Sequence, residues 1–322
     1  MKKLTLVTLF LTFFTTAQAQ TVKIDGSSTV YPITEGIAED FQKETKIKVT
    51  VGISGTGGGF KKFCRGDIDI QNASRPILEK EMEDCKKAGI EYVELPVAFD
   101  ALTVVVSPRN NFVTQLTVEE LKRMWEPAAQ GKITHWNQIN PAFPKTQIKL
   151  YGAGSDSGTF DYFTEAIVGK AKSSRGDYTA SEDDNVLVQG VSTEAGGIAY
   201  FGYAYFAENQ KRVRAVSIVN KDGKAIMPSE KSVMDGTYNP LSRPIMIYVN
   251  VKSLEKIEVL RFLQFYMTNV STIAKEVKYV PLPKQVYENN QNMILMKRTG
   301  TIFGGHNEVG ITVEEMIRRT VK

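Results

Sequence analysis

Three turns in the sequence share one composition, and they restrict the fold more than any other feature. They are DGSSTVYP (25–32), GISGTGGGFKK (52–62) and GSDSGTFDYF (154–163). Each follows an apolar strand-like run and precedes a helix-like run. Each is built from glycine and small hydroxyl residues. VKI and IKVTVGI read as strands. YPITEGIAEDFQKE sets Ile33, Ile37 and Phe41 four residues apart, which is a helix face. Repeated strand–turn–helix units predict an α/β fold with mainly parallel sheets flanked by helices.

The same alternation continues downstream. GGGFKKFCRG is expected to form a short helix and IDIQNAS a strand. LTVEELKRMWEPA is expected to be helical, with Thr117 and Glu120 spaced as a capping box. RPIMIYVN returns as a strand, SLEKIEVLRFLQFYMTN is a long amphipathic helix, and TVEEMIRR closes the chain. A mature chain of about 300 residues ordinarily divides into more than one core. No Pro/Ser-rich linker or repeat separates two halves, so the lobes are expected to be joined by strands that cross more than once. The crossings are placed near residues 99–107 and 243–250. One lobe then comprises residues 20–102 and 249–322, and the other comprises 103–248.

The first nineteen residues stand apart from that pattern. Lys2 and Lys3 precede LTLVTLFLTFF, an apolar run too short to span a bilayer, and Ala17–Ala19 form a small-x-small cleavage site. A cleaved secretory signal at 1–19 is expected, and hence a periplasmic protein. The alternative is an uncleaved anchor. Without Lys2 and Lys3 the net charge is +2, too weak and too dispersed to indicate nucleic-acid or membrane-surface binding. In an exported chain the two cysteines, Cys64 and Cys85, are expected to form one disulfide worth about 3 kcal/mol. The alternatives are a metal ligand or a reactive thiol. Neither His135 nor His306 lies beside the cysteines, so no metal site or cofactor is expected.

A helix N-terminus presents N–H groups without intrahelical partners, and its dipole favours negative charge. Small residues let an anion approach the backbone, and hydroxyls add donors. NASRP (72–76) contributes Ser74 and Arg75, a fixed cation able to grip an oxyanion with a planar fork. Taken singly, each turn reads as an ordinary N-cap and Arg75 as a surface ion-pair residue. Together they point to an anion site.

With those residues in view, the chain resembles the phosphate-binding proteins of the phosphate-specific ABC transporter, the PstS type, and in particular its SphX-like branch. GSSTVYP, SGTGGGFKKFC, NASRPI, LPVAFDALTVVV, GSDSGTFDYF and RGDYTASEDDNVLVQGV carry the resemblance over essentially the whole mature chain. It implies a two-lobed type II periplasmic binding protein with inorganic phosphate in the interlobe cleft, closing by a hinge. It also implies delivery to a membrane permease and no catalysis, and a monomer is expected because it suits a shuttle. The implied ligands are Ser28, Thr29, Thr56, Ser157, Gly158 and Thr159, with Ser74 and Arg75 beside them.

Two positions depart from the better-known pattern. Arg75 follows Ala73-Ser74 where an aspartate is usual, and Ala153 stands where an arginine usually precedes Ser-Gly-Thr. The arginine has in effect changed lobes. The carboxylate that receives the proton of phosphate is expected to have moved too, with Asp156 as first candidate and Asp100 as second. The alternatives are a helix cap for Asp156 and a hinge position for Asp100. A buried carboxylate accepts the phosphate proton and repels a fully ionised anion.

Other functions fit less well. A receptor for sulfate or molybdate would use similar turns. An exported phosphatase needs a metal cluster or a nucleophile elbow, and GSDSG places Ser155 where the elbow has its first glycine. A surface adhesion or signalling role would require Tyr200–Phe206 to be an exposed aromatic patch rather than part of the packing of the second lobe.

Overall fold

The computed structural model describes residues 21–320. The proposed signal segment at 1–19 lies outside them.

The chain begins with β1 (Thr21–Gly26), α1 (Tyr31–Thr45), β2 (Lys48–Val51), α2 (Gly55–Phe63), β3 (Ile70–Ala73), α3 (Glu79–Lys87) and β4 (Tyr92–Ala101). It continues through β5 (Thr103–Val106), β6 (Gln115–Thr117), α4 (Val118–Trp125), β7 (Lys149–Ala153), α5 (Gly158–Val168), β8 (Thr179–Ser181) and α6 (Asp184–Thr193). Next come β9 (Gly197–Phe201), α7 (Tyr203–Glu208), β10 (Arg214–Ala215), β11 (Ser217–Val219), β12 (Ala225–Ile226) and α8 (Glu230–Met234). The last elements are β13 (Ser242–Asn250), α9 (Ile257–Glu276), β14 (Val280–Pro281), α10 (Lys284–Leu295) and α11 (Val313–Thr320).

The first helix shows how the pattern becomes structure. Pro32 suits the first turn because its missing N–H would be unpaired there. Ile33, Ile37 and Phe41 are buried on one face, and Phe41 meets Phe262 of α9 edge-on at 5.3 Å. The helix stops at Lys46, whose φ is 63°. At α4, Thr117 and Glu120 form the expected reciprocal cap, with bonds of 2.9 and 3.0 Å. Cys64 and Cys85 are joined in a disulfide that ties the end of α2 to α3. Tyr200, Phe201, Tyr205 and Phe206 are all buried, so this aromatic run packs inside the second lobe.

Two sheets define two lobes. The first has the order β14-β4-β13-β3-β1-β2, the second β10-β5-β9-β7-β8, and a three-stranded sheet β12-β11-β6 flanks the second. The sheets are mixed rather than mainly parallel. β2-β1-β3 and β8-β7-β9 run parallel, as strand–helix repeats require. In the two main sheets the antiparallel pairs are β13 with β3 and β4, β14 with β4, and β5 with β9 and β10, most of them made by the strands β4, β5 and β13 that carry the chain between lobes.

The lobes meet where β4 passes into β5 and where the chain returns into β13. There the Leu102 N–H donates to the Leu241 carbonyl at 2.8 Å, and the Tyr238 hydroxyl donates to the Leu102 carbonyl at 2.9 Å. The return precedes the expected residue 249. β13 pairs with β4 from Ser242 opposite Ala101. An alternation of apolar residues marks a strand but not the sheet that receives it. A third link lies near the C-terminus. The Glu79 N–H donates to the Gly305 carbonyl on the first lobe, while Asn307 Nδ2 donates to Glu165 on α5 at 2.6 Å.

Candidate functional site

The three hydroxyl-rich turns converge between the lobes. Thr29 from the turn before α1 approaches Thr159 at the start of α5, with the two Oγ1 atoms 3.2 Å apart. The Gly57 N–H donates to the Asp156 carbonyl across the same gap at 2.7 Å. Ser28, Thr29, Thr56, Ser74, Ser157 and Thr159 are all buried.

Gly158 occupies the centre. A Cβ on it would fall 2.4 Å from Thr56 Oγ1 and 2.7 Å from Ser74 Oγ, so no side chain fits there. The same chemistry recurs at three backbone amides around it. Ser27 Oγ accepts from Thr29 N–H, Thr56 Oγ1 from Ser74 N–H, and Ser157 Oγ from Thr159 N–H. Each amide therefore already points at a small acceptor that a bound oxyanion could replace.

The cation at this junction is Arg243 on β13. Its Nη2 donates to Thr159 Oγ1 at 2.9 Å and to Thr29 Oγ1 at 3.2 Å, so one nitrogen touches both lobes. Asp100 holds it, with one carboxylate oxygen 2.9 and 3.0 Å from Nη2 and Nε. The other Asp100 oxygen accepts from the Tyr203 N–H. Burial pushes the Asp100 carboxyl up, and Arg243 and that N–H pull it back. Sequence reasoning missed Arg243. The only signal was an arginine opening an otherwise apolar strand, SRPIMIYV.

Arg75 is placed differently from expectation. It is fully buried, but Glu81 takes two of its N–H groups at 2.7 and 2.8 Å, the Pro76 carbonyl a third, and Asp161 of α5 a fourth at 2.7 Å. Burial would lower its pKa, yet the two carboxylates hold it above the usual value. Arg75 thus fastens the first lobe to the second with four of its five N–H groups.

Asp156 is also displaced from its expected role. Its carboxylate turns outward to Lys61 Nζ at 2.7 and 3.0 Å and is 40% exposed. It does not cap α5 either, because Ser157 does. Both its carboxylate, through Lys61 of α2, and its backbone carbonyl, through the Gly57 N–H, meet the first lobe. Asp184, at the first position of α6, is in contrast fully buried, with no side-chain hydrogen-bond partner and only the Gly202 amide beside it. Burial pushes it up to about 7, against the pull of Arg243 and the Gly202 amide. The motif RGDYTASEDDNVLVQGV contains it, but nothing in the sequence separates it from Asp183, which caps the helix.

Two lobes on mixed sheets, joined by crossing strands and closing on helix N-termini, define a type II periplasmic binding protein. Residues 14–270 match a family model described as a PBP superfamily domain. Protein SphX of Synechococcus elongatus is 51% identical over 303 residues, covering 94% of this chain and 89% of the relative. Phosphate-binding protein PstS of Staphylococcus saprophyticus is 39% identical over 277 residues, covering 85% and 84%. The crystal structure of a possible phosphate binding protein from Planctomyces limnophilus superposes with a TM-score of 0.63 at 46% identity, covering 87% of this chain and 99% of that one. A putative phosphate ABC transporter substrate-binding protein from Clostridium perfringens, solved with bound phosphate, gives 0.68 at 25% identity, covering 82% and 100%. The chain belongs to the PstS family, in its SphX-like branch.

Proposed function

We propose that the protein captures inorganic phosphate between its lobes and delivers it to an ABC-type permease. The observation that carries this reading is the convergence of three hydroxyl-capped amides and Arg243 around Gly158. A tetrahedral anion presents oxygens in four directions, which suits donors arriving from both lobes. An oxyanion is a stronger acceptor than a hydroxyl, so exchanging one for the other is favourable and frees each hydroxyl to donate.

In this reading Ser28, Thr29, Thr56, Ser74, Ser157, Gly158 and Thr159 surround the phosphate, and Arg243 supplies the principal charge. Arg75 gives one remaining N–H and keeps the lobes together. Among the described residues the first lobe comprises 21–102 and 242–320, the second 103–241, and the hinge lies at Leu102 and Leu241. The PstS relatives are phosphate-binding proteins by name, which supports capture. The protein works in the periplasm after removal of the segment at 1–19, as a monomer.

Isothermal titration of the ligand-free mature protein is the test. Saturable one-to-one binding of phosphate is expected, with sulfate and molybdate much weaker. A preference for sulfate or molybdate would keep the site and change the ligand. Binding of no oxyanion would remove the reading.

A further inference from the structure

Four charged groups meet beside the junction, two from each lobe. Arg75 and Glu81 belong to the first lobe, Asp161 and Lys172 to the second. Arg75 Nε donates to Asp161 at 2.7 Å across the gap, and both side chains are buried. Glu81 takes Arg75 Nη1 and Nη2 at 2.8 and 2.7 Å. Lys172 Nζ stands 3.8 Å from the other Asp161 oxygen, which has no hydrogen-bond partner among the described residues. Burial pushes the Asp161 carboxyl up, Arg75 and Lys172 pull it down, and Glu81 pushes it up again. The Gly57 N–H crosses to the Asp156 carbonyl close by. A Cβ on Gly57 would lie 3.3 Å from that carbonyl and 3.7 Å from Arg75 Nη2.

Each half of the cluster is assembled within its own lobe. Glu81 accepts from the Leu78 N–H just before α3 at 2.9 Å, and Arg75 lies over the Phe60 ring of α2 at 5.9 Å. Asp161 sits in the first turn of α5, and the Lys172 N–H donates to Thr164 Oγ1 of the same helix at 2.8 Å. Parting the lobes therefore breaks the bond from Arg75 to Asp161 and leaves each of them beside its own counter-ion. Breaking a buried pair is costly when it strands an unpaired charge, and here none is stranded. Arg243 and Asp100 differ, because both lie in the first sheet and stay together. An acid in the first turn of a helix also serves the helix dipole, but that role needs no contact with the other lobe.

We propose that the Arg75–Asp161 pair is a clasp that sets how fast phosphate leaves, with Glu81 and Lys172 keeping the charge balanced whether the clasp is open or shut. This rests on the reading of the cleft as a phosphate site. Phosphate enters while the lobes are apart and the pair is unmade, so the pair contributes little to capture. It must part before phosphate leaves, so it acts on release. Asp161 offers only acceptor oxygens and does not hold the anion. It is a positioning residue that works through Arg75 and the approach of the lobes.

The experiment follows release of radiolabelled phosphate into an excess of unlabelled phosphate, for wild type and Asp161→Asn, with calorimetry supplying the dissociation constants. The asparagine removes the charge and leaves Arg75 in place. Release should be roughly tenfold faster in the variant, and binding weaker by the same factor, so the association rate should stay within about twofold of wild type. Urea denaturation of the ligand-free proteins separates this from a merely structural role. The pair is parted in the open form, so the two should unfold at about the same urea concentration. Unchanged release, or a loss that falls on association instead, would overturn the clasp. Should Asp161→Asn fail to fold, Lys172→Met decides, because that side chain is half exposed. Its removal leaves two carboxylates on one arginine when the lobes close, so release should quicken roughly threefold. Unchanged release in that variant would overturn the clasp as well. Absence of phosphate binding in wild type would instead bring down the phosphate reading, and the role of the clasp in release with it.

Discussion

Arg243 and Asp100 form an ion pair in which both side chains are fully buried, and they do so on paired residues of β13 and β4 where those strands leave the first sheet. The pair is therefore part of the joint as well as of the site. Arg243→Met should remove the phosphate-facing cation and also leave Asp100 buried and unpaired. Breaking a buried pair by removing one partner costs about 3–5 kcal/mol. Urea denaturation should show that loss, and calorimetry should show no phosphate binding. Arg243→Lys is expected to recover part of the stability but little of the affinity. It keeps the charge and loses the fork that reaches Asp100 and two threonines together.

Gly158→Ala should separate binding from folding. The new Cβ meets Thr56 Oγ1 and Ser74 Oγ only when the lobes are closed, because those hydroxyls belong to the other lobe. Each lobe should fold normally. Closure should be held open, and phosphate affinity should drop by about 100-fold, the equivalent of about 2.7 kcal/mol. Small-angle scattering checks the mechanism. Added phosphate should shrink the wild type and leave the variant unchanged. A variant that still closes and binds would show that Gly158 is not at the point of contact.

The turns were legible in the sequence because their chemistry is local. Three clusters of glycine and hydroxyl residues before helix-like runs announce helix N-termini, and all three N-termini face one gap. Capping at Thr117 and the disulfide were equally readable, since spacing and compartment determine them. The charges were not. Arg75 and Asp156 lie inside the recognised motifs, yet their directions depend on Glu81, Asp161 and Lys61, which come from other elements. Arg243 reaches the site through the pairing of β13 with β4, separated by more than a hundred residues. Asp184 and Asp183 are adjacent in sequence, and only the fold makes one a cap and the other a buried carboxylate. Long-range pairing also decided the strand directions, which is why the sheets are mixed.

Asp156→Asn should change little. Its carboxylate is half in solvent and bound to Lys61, which is 64% exposed, and such surface pairs contribute about 0–1 kcal/mol. Its buried contribution to closure is the backbone carbonyl that receives the Gly57 N–H, which the substitution retains, and only the exposed pair with Lys61 is lost. Phosphate affinity within about threefold of wild type is expected, with the preference for phosphate over sulfate unaltered. A loss of selectivity in this variant would return the proton acceptor to Asp156 and would imply that its side chain turns inward when the ligand binds.

Asp184 should leave a signature in stability without any ligand. Its folded pKa is raised by burial to about 7, above its value in an unfolded chain. Between the unfolded value and about 7 the folded protein holds a proton that the unfolded chain has released. Stability then falls as pH rises through that window, at roughly a tenfold loss in the folding constant per pH unit, and is level above it. Asp184→Asn removes that decline. The ligand-free variant should match wild type near the acid end of the window and exceed it at about pH 8, as measured by urea denaturation at each pH. A variant less stable than wild type at every pH would mean that the carboxylate has a partner in the free protein.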